Sequence, residues 1–199
     1  MVIGSVGAHR AGRQRPHPKI GRRNARTLLI SLTMQPLADN DIRASFVNCS
    51  KGEARRIALP RNLSEVPWED LDFLGWRDPG APDRGYVVAE RDGRLTGVTL
   101  RVPQGGPRSM AKTTMCSLCL TSHPGSGVSL LAARRVGAAG REGNTVGAYM
   151  CADLACSLYV RGKRVPELSM RYKETLSEEE RIARMLVNLD DFLAKVRRG

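Results

Sequence analysis

The sequence has few of the residues from which enzyme sites are usually built. It contains only three histidines, and two of them, His9 and His17, lie in the first 33 residues, where no acidic residue occurs. We find no Ser/His/Asp set, no phosphate-binding loop and no ligand set that would leave a metal ion with an open position. We therefore expect a protein that is not an enzyme.

Long apolar runs and aromatic residues are also scarce. No stretch approaches the roughly 20 apolar residues of a transmembrane helix, so we expect a soluble, cytoplasmic protein with no membrane partner and no small-molecule substrate. Aromatic residues make up 5% of the 199 residues. A chain of this length supports one modest core, to which a structural metal ion would add stability.

The positive charge is concentrated at the N-terminus. Residues 1–33 carry seven basic side chains and no acidic one, whereas the other 166 residues carry 25 basic and 20 acidic side chains. We interpret residues 1–33 as a basic disordered extension, with Met34 as the natural start. Two alternatives are an export signal, for which the apolar run at 27–34 is thin, and an arm that touches RNA.

Residues 34–199 have the pattern of one folded domain. Asp39 or Asn40 can cap a short helix, and Pro67 can begin a second one over Trp68–Leu74, ended by Gly75. The Asp92-Gly93 dipeptide predicts a tight hairpin turn between two strands. Near the C-terminus, a capping box at Ser177 and Glu180 begins a long amphipathic helix, whose apolar positions are Ile182, Met185, Leu186, Leu189, Phe192, Leu193 and Val196.

Two cysteine pairs dominate residues 110–160. Cys116 and Cys119 form a C-x2-C knuckle, and Cys151 and Cys156 follow two predicted strands, Val128–Val136 and Thr145–Met150. Knuckle, hairpin and helix start, in this order, form a treble clef. We predict an α+β fold with a treble-clef zinc finger in a small mixed domain that has antiparallel strands and a long C-terminal amphipathic helix.

Four thiolates in two turns suit one structural zinc ion. Zn²⁺ prefers a tetrahedron of such ligands, and a closed four-cysteine site leaves no position for a substrate. Two disulfides would need an oxidising compartment, and a redox C-x-x-C motif would not need the second pair. His123 could in principle replace one cysteine as a ligand, and Cys49 is most simply a small buried apolar side chain.

Basic residues follow the finger and also lie on its hairpin. They form either one positive surface or a scattered set of solvated charges. The residues concerned are Arg134, Arg135, Arg161, Lys163 and Arg164.

The sequence resembles a known family, the FBP-type proteins. These carry the C-terminal treble-clef domain of elongation factor G-binding proteins and include the FusB-type fusidic acid resistance factors. The resemblance extends from Leu37 to the C-terminus. It rests on residues 41–48, Leu59-Pro60, Trp68 through Trp76, the Cys116-x2-Cys119 pair, residues 143–151 and the Cys151-x4-Cys156 pair.

The resemblance implies a non-enzymatic translation accessory protein. Family members bind elongation factor G through the zinc-containing domain and help to release it from ribosomes stalled by fusidic acid. The four cysteines carry over as zinc ligands, and Tyr149, Arg134 and Arg135 are candidates for the partner surface. The resistance proteins have an N-terminal helical bundle, where this chain has one short helix and a basic tail. The alternative is a zinc module that binds ribosomal or other RNA directly.

Overall fold

A computed structural model describes residues 33–103, 113–166 and 174–198. All of them belong to one unit, residues 31–199. The predicted N-terminal extension lies outside the described residues, apart from Thr33.

The central element is a five-stranded antiparallel sheet with the order β1-β2-β3-β6-β7, and a second sheet pairs β4 with β5. The strands are β1 (Leu74–Arg77), β2 (Arg84–Arg91), β3 (Arg94–Arg101), β4 (Thr113–Met115), β5 (Ser122–Pro124), β6 (Val128–Arg134) and β7 (Thr145–Cys151).

Short helices surround these sheets, and one long helix follows them. The α-helices are α1 (Asp39–Ala44), α2 (Lys51–Arg55), α3 (Ala138–Arg141), α4 (Cys156–Val160) and α5 (Glu178–Arg197), and short 3-10 helices occupy Leu63–Glu65, Trp68–Asp70 and Gly125–Gly127. The mixed α+β architecture predicted from the sequence is confirmed.

The predicted β2–β3 hairpin is present. Its turn places Asp92 at φ 53° and Gly93 at φ 70°. Positive φ at both central positions matches the right-handed twist of the two strands, and Asp-Gly tolerates it. The turn sets the register in which Arg84 lies opposite Arg101 and Tyr86 opposite Thr99.

A side chain joins the two halves of the large sheet. β3 and β6 share only the Arg101–Ala132 pair in the ladder. Beyond it, the amide of Asn48 donates to the carbonyl oxygens of Thr99 (3.0 Å) and Arg134 (3.2 Å), and its Oδ1 accepts from the Thr99 N–H at 2.8 Å. The buried Asn48 side chain thus satisfies backbone groups that the separating strands leave unpaired.

The two sheet faces pack against different parts of the chain. On one face, the ring of Phe46 packs edge-on against Trp76 and Tyr86. On the other, a Cβ at Gly75 would lie 2.5 Å from the carbonyl oxygen of Leu154. Only glycine permits this close approach, which seats the turn between the second pair of cysteines on β1.

Helix α5 follows the sequence prediction. Ser177 and Glu180 form the capping box, with Glu180 N–H donating to Ser177 Oγ and Ser177 N–H to Glu180 Oε2. All seven predicted apolar positions are buried. The helix N-terminus also carries Glu178, Glu179 and Glu180, which suit the positive end of its dipole.

The segment from Trp68 to Gly75 differs from the prediction. We expected one helix over Trp68–Leu74, whereas the structure has a 3-10 turn at Trp68–Asp70 and then strand β1. Pairing of Leu74–Arg77 with β2 and the contact at Gly75 outweigh the local helical pattern. Helices α2 and α3 were not predicted, although Ser50 and Glu53 form a capping box readable from the sequence.

Candidate metal centre

The first cysteine pair lies in a tight turn that β4 and β5 hold in place. Cys116 N–H donates to the carbonyl of Thr121 at 3.0 Å, and Leu120 N–H donates to the carbonyl of Cys116 at 3.0 Å. Leu120 adopts φ 57°, a left-handed conformation that is uncommon for a bulky residue. The turn also directs the Leu118 N–H at Cys116 Sγ, 3.4 Å away, as suits an anionic sulfur.

The second pair joins the end of β7 to the start of α4. Cys151 is the last residue of the strand and Cys156 the first of the helix. Between them, Leu154 adopts φ 60° and its N–H donates to the carbonyl of Cys151, while Asp153 Oδ1 accepts from Ala155 N–H. The helix start places backbone N–H groups and the positive end of a dipole near the Cys156 sulfur.

The four sulfur atoms lie together and are buried. Every pair of them lies within 4.8 Å, with Cys116 Sγ 3.7 Å from Cys156 Sγ and Cys119 Sγ 3.5 Å from Cys151 Sγ. A tetrahedral zinc ion with sulfur at about 2.3 Å requires a sulfur–sulfur separation of about 3.8 Å. A disulfide would require about 2.05 Å, so these are free thiols in the arrangement of a zinc site.

Without metal, the four thiols compete for the negative charge. Hydrogen bonds from the neighbouring thiols, that of Cys116 first, lower the pKa of Cys119, while the hydrogen bond with Cys116 raises the pKa of Cys151. A divalent cation removes this competition, since it stabilises all four thiolates together.

His123 lies beside the four sulfurs rather than among them. Its side chain is 3% exposed, and its Nε2 lies 3.3 Å from Cys151 Sγ. The ring packs edge-on against Tyr159 with 4.6 Å between centroids, and Tyr159 donates its O–H to Asp153 at 2.9 Å. Because four cysteines already complete the ligand set, we assign His123 the role of a hydrogen-bond donor to a ligand sulfur.

Comparison with known protein families also indicates a treble-clef zinc finger. A family profile described as "FBP C-terminal treble-clef zinc-finger" matches residues 41–196. The chain belongs to this family. Its buried four-cysteine cluster suits one structural zinc ion, as the knuckle, hairpin and helix predict.

The other comparisons add less. No curated protein matches the chain significantly. Among solved structures, one described as "Structure of the fusidic acid resistance protein FusC" is similar at 16% identity with a TM-score of 0.43. The match covers 79% of this chain and 64% of that one. No helix in the described ranges has the length and apolarity needed to span a bilayer.

Tyr149 lies next to the first cysteine turn. It is 43% exposed on the edge strand β7, and its carbonyl accepts from the N–H of Ser117 at 2.6 Å. Met115 and Leu120, which flank the same turn, are also exposed. We call Met115, Leu120 and Tyr149 the knuckle patch.

The candidate basic residues come from two parts of the chain, the β6–β7 hairpin and the segment after α4. Arg134 pairs with Thr145 at one end of the β6–β7 hairpin, whereas Tyr149 pairs with Leu130 nearer the cysteines. Four residues of extended strand separate the two pairs by about 13 Å. Arg135 donates to the backbone carbonyl of Arg198 at 2.8 Å.

The other three basic candidates follow α4. The side chain of Arg161 is 7% exposed and forms an ion pair with Asp72, so its charge is engaged within the domain. Lys163 and Arg164 are exposed; Arg164 lies 3.0 Å from Asp153 and has its guanidinium carbon 6.0 Å from the centroid of the Tyr159 ring. Through Tyr159 and His123, Arg164 is connected to the metal centre.

Proposed function

We propose that this protein is a non-enzymatic, cytoplasmic translation accessory factor that binds elongation factor G through its zinc-finger domain and modulates the release of that factor from the ribosome. Membership of the FBP family supports the choice of partner. The knuckle patch is the observation that assigns the proposed binding to particular residues. The closed metal centre would hold this patch in place.

A closed centre supports binding rather than catalysis. Four thiolates fill the tetrahedral positions of zinc, so the ion would have no place for water or substrate. The two cysteine turns would then act as a rigid support for the side chains between and beside them. Rigid presentation lowers the entropy lost when a partner binds.

The knuckle patch has the composition of an interface centre. Tyrosine and methionine are enriched at protein interfaces, where tyrosine often contributes a large share of the binding energy. Leu120 is 37% exposed, and it adopts an unfavourable backbone conformation that the surrounding turn maintains. Exposed apolar side chains in a rigid turn fit a protein partner better than a nucleic acid.

Lys163 and Arg164 would steer an acidic partner towards the patch. Both follow the helix that starts at Cys156. Lys163 pairs with Asp70 and Arg164 with Asp153, but the two basic side chains stay 59% and 53% exposed, unlike that of Arg161. Rim charges of this kind change the association rate and its salt dependence more than the dissociation rate.

The test is surface binding of purified elongation factor G to the zinc-loaded, nuclease-treated protein. Tyr149→Ala should speed dissociation, with a loss of about 2 kcal/mol if the ring is a hot spot. Val187→Ala is the control for the loss of an exposed apolar side chain, because Val187 is 67% exposed on α5 and is not part of the knuckle patch. Lys163→Glu with Arg164→Glu should slow association.

The absence of binding by the wild-type protein at micromolar concentrations would overturn the proposed partner. Equal losses in the Tyr149→Ala and Val187→Ala variants would overturn the knuckle patch as the contact surface. If binding is found, release of the factor from ribosomes is measured next with the same variants, and an unchanged release rate would remove the second half of the proposal.

A further inference from the structure

The sheet face that carries Phe46, Trp76 and Tyr86 also contains a groove of about 710 Å³. Strand register explains which side chains line it. Arg84 lies opposite Arg101, and Arg101 opposite Ala132. Residues paired across adjacent strands point to the same face, so these side chains share the groove floor.

Four arginines from four separate parts of the chain line this groove. Arg84 comes from β2, Arg101 from β3 and Arg134 from β6, and Arg56 is the first residue after helix α2. All four are exposed, and none forms an ion pair with another residue in the described part of the chain. The acidic residues of the lining are Glu53, whose carboxylate caps α2, and Asp83.

The pairing of Arg84 with Arg101 is unfavourable in the free protein. Like charges directly opposite each other on neighbouring strands destabilise a sheet. A bound anion between the two guanidinium groups would turn this repulsion into attraction. The register thus creates a local excess of positive charge that a polyanion would neutralise.

The groove continues past its first four arginines. An adjoining depression of about 380 Å³ shares Asn48, Cys49, Glu53 and Arg134 with it and adds Arg135 and Arg141 to the lining. The basic side chains therefore follow an elongated path from β2 to α3. An elongated path fits an extended chain of anionic groups better than one small ligand.

All six basic residues along this path are arginine. The planar guanidinium offers paired donors that match the oxygens of a phosphate group, and arginine is over-represented where proteins bind phosphodiesters. The aromatic ring in the lining, that of Tyr86, is buried and offers no face on which a base could stack. Affinity would therefore come from phosphate contacts and would depend little on base sequence.

We infer that this arginine groove binds a single-stranded phosphodiester backbone, an activity beyond the proposed binding of elongation factor G and carried by different residues. A positively charged groove that tracks the backbone is one of the two means by which proteins bind single strands without reading sequence, the other being aromatic stacking. The fold thus places Arg134 in the same groove as Arg56, Arg84 and Arg101, which are distant from it in the sequence.

The test measures anisotropy of labelled 12-nucleotide oligo(U), oligo(A) and oligo(dT) with the full-length, zinc-loaded protein over a salt series. The variant is Arg84→Glu with Arg101→Glu, which keeps like charges opposite each other and so should preserve the fold. Arg61→Glu with Arg94→Glu is the control, since both arginines are exposed outside the groove and the net charge change is equal. The basic N-terminal residues are present in all three proteins.

We expect the groove variant to lose at least tenfold in affinity for all three oligonucleotides, and the control at most about twofold. The slope of log affinity against log salt should flatten by about 1.4, because each phosphate contact on a single strand contributes about 0.7. Oligo(U) and oligo(dT) distinguish RNA from DNA as the source of the backbone.

Equal losses in the two double variants would assign the binding to diffuse charge and overturn the inference. Unchanged oligonucleotide binding together with loss of elongation factor G binding would assign the groove to an acidic protein and overturn it as well. Zinc content and melting temperature check each variant. If the glutamate variant does not fold, Arg84→Gln with Arg101→Gln is measured instead, with a smaller loss of the same sign expected.

Discussion

The guanidinium of Arg161 donates two hydrogen bonds to the carboxylate of Asp72, at 2.5 Å and 2.9 Å. Both side chains are almost fully buried. Asp72 lies two residues before β1, and Arg161 is the first residue after the helix that begins at Cys156, so the pair joins the metal centre to the large sheet. The hydroxyl oxygen of Ser157 also accepts a hydrogen bond from the N–H of Asp72, at 3.0 Å, which adds a second link between the same two parts of the chain.

Removing Arg161 should therefore destabilise the whole domain. Arg161→Ala leaves the Asp72 carboxylate buried without its partner, and breaking such a pair costs about 3–5 kcal/mol. Urea denaturation followed by circular dichroism measures the loss. The control is Arg164→Ala, whose ion pair with Asp153 is exposed and contributes at most about 1 kcal/mol. Similar losses in the free energy of unfolding for the two variants would show that burial of the Arg161 pair does not add to its contribution to stability.

The metal centre should bind one zinc ion per chain and depend on it for folding. Cys116→Ser or Cys151→Ser should remove stoichiometric zinc and the cooperative unfolding transition, because structural zinc binding and folding are coupled. Elemental analysis and thermal denaturation measure both effects. Cys49→Ser is the control, since Cys49 is half-buried outside the cluster. Metal-free protein with an unchanged melting temperature would contradict this prediction.

Alkaline stability should depend on Tyr86. Burial, and then the hydrogen bond to Asp78 at 2.7 Å, raise the pKa of Tyr86 to about 12. An unfolded tyrosine ionises near pH 10, so between about pH 10 and 12 ionisation favours the unfolded chain and stability falls as pH rises. Tyr86→Phe removes this dependence, although it also removes the hydrogen bond.

Urea denaturation at pH 8 and at several values up to 11 measures the effect. At pH 8 the wild-type protein should be the more stable of the two, and the difference should shrink as pH rises past 10. A difference that stays constant over this range would show that Tyr86 has the same pKa in both states.

Much of the fold could be predicted because its signals are local. The Asp92-Gly93 turn, the capping box at Ser177 and the two cysteine pairs each depend on neighbouring residues, and the structure has the predicted element at each place. The helix predicted over Trp68–Leu74 was wrong at its C-terminal end. There the contact between Gly75 and Leu154, 79 positions apart, favours a strand.

The parts of the site that could not be predicted depend on long-range packing. Charge alone cannot show that Arg161 is buried against Asp72 while Lys163 is exposed. The groove likewise requires the register of β2, β3 and β6, which brings Arg84 and Arg101 together. The alternation of apolar and polar residues along each strand indicates which residues share a face, but it does not determine the order of the strands in the sheet.

His123 should support zinc binding without being a ligand. Its Nε2 lies 3.3 Å from Cys151 Sγ, and the ring is held by Tyr159. A hydrogen bond to a ligand thiolate fixes that ligand and lowers its charge density, and loss of such outer contacts typically weakens metal affinity by about 10–100-fold. His123→Ala should therefore still bind one zinc ion but release it faster to a chelator. His123→Gln retains a side-chain donor, so its rate of zinc release should lie between those of the wild-type protein and His123→Ala. A His123→Ala protein with no zinc at all would instead make His123 a ligand, and unchanged release would show that the contact contributes nothing.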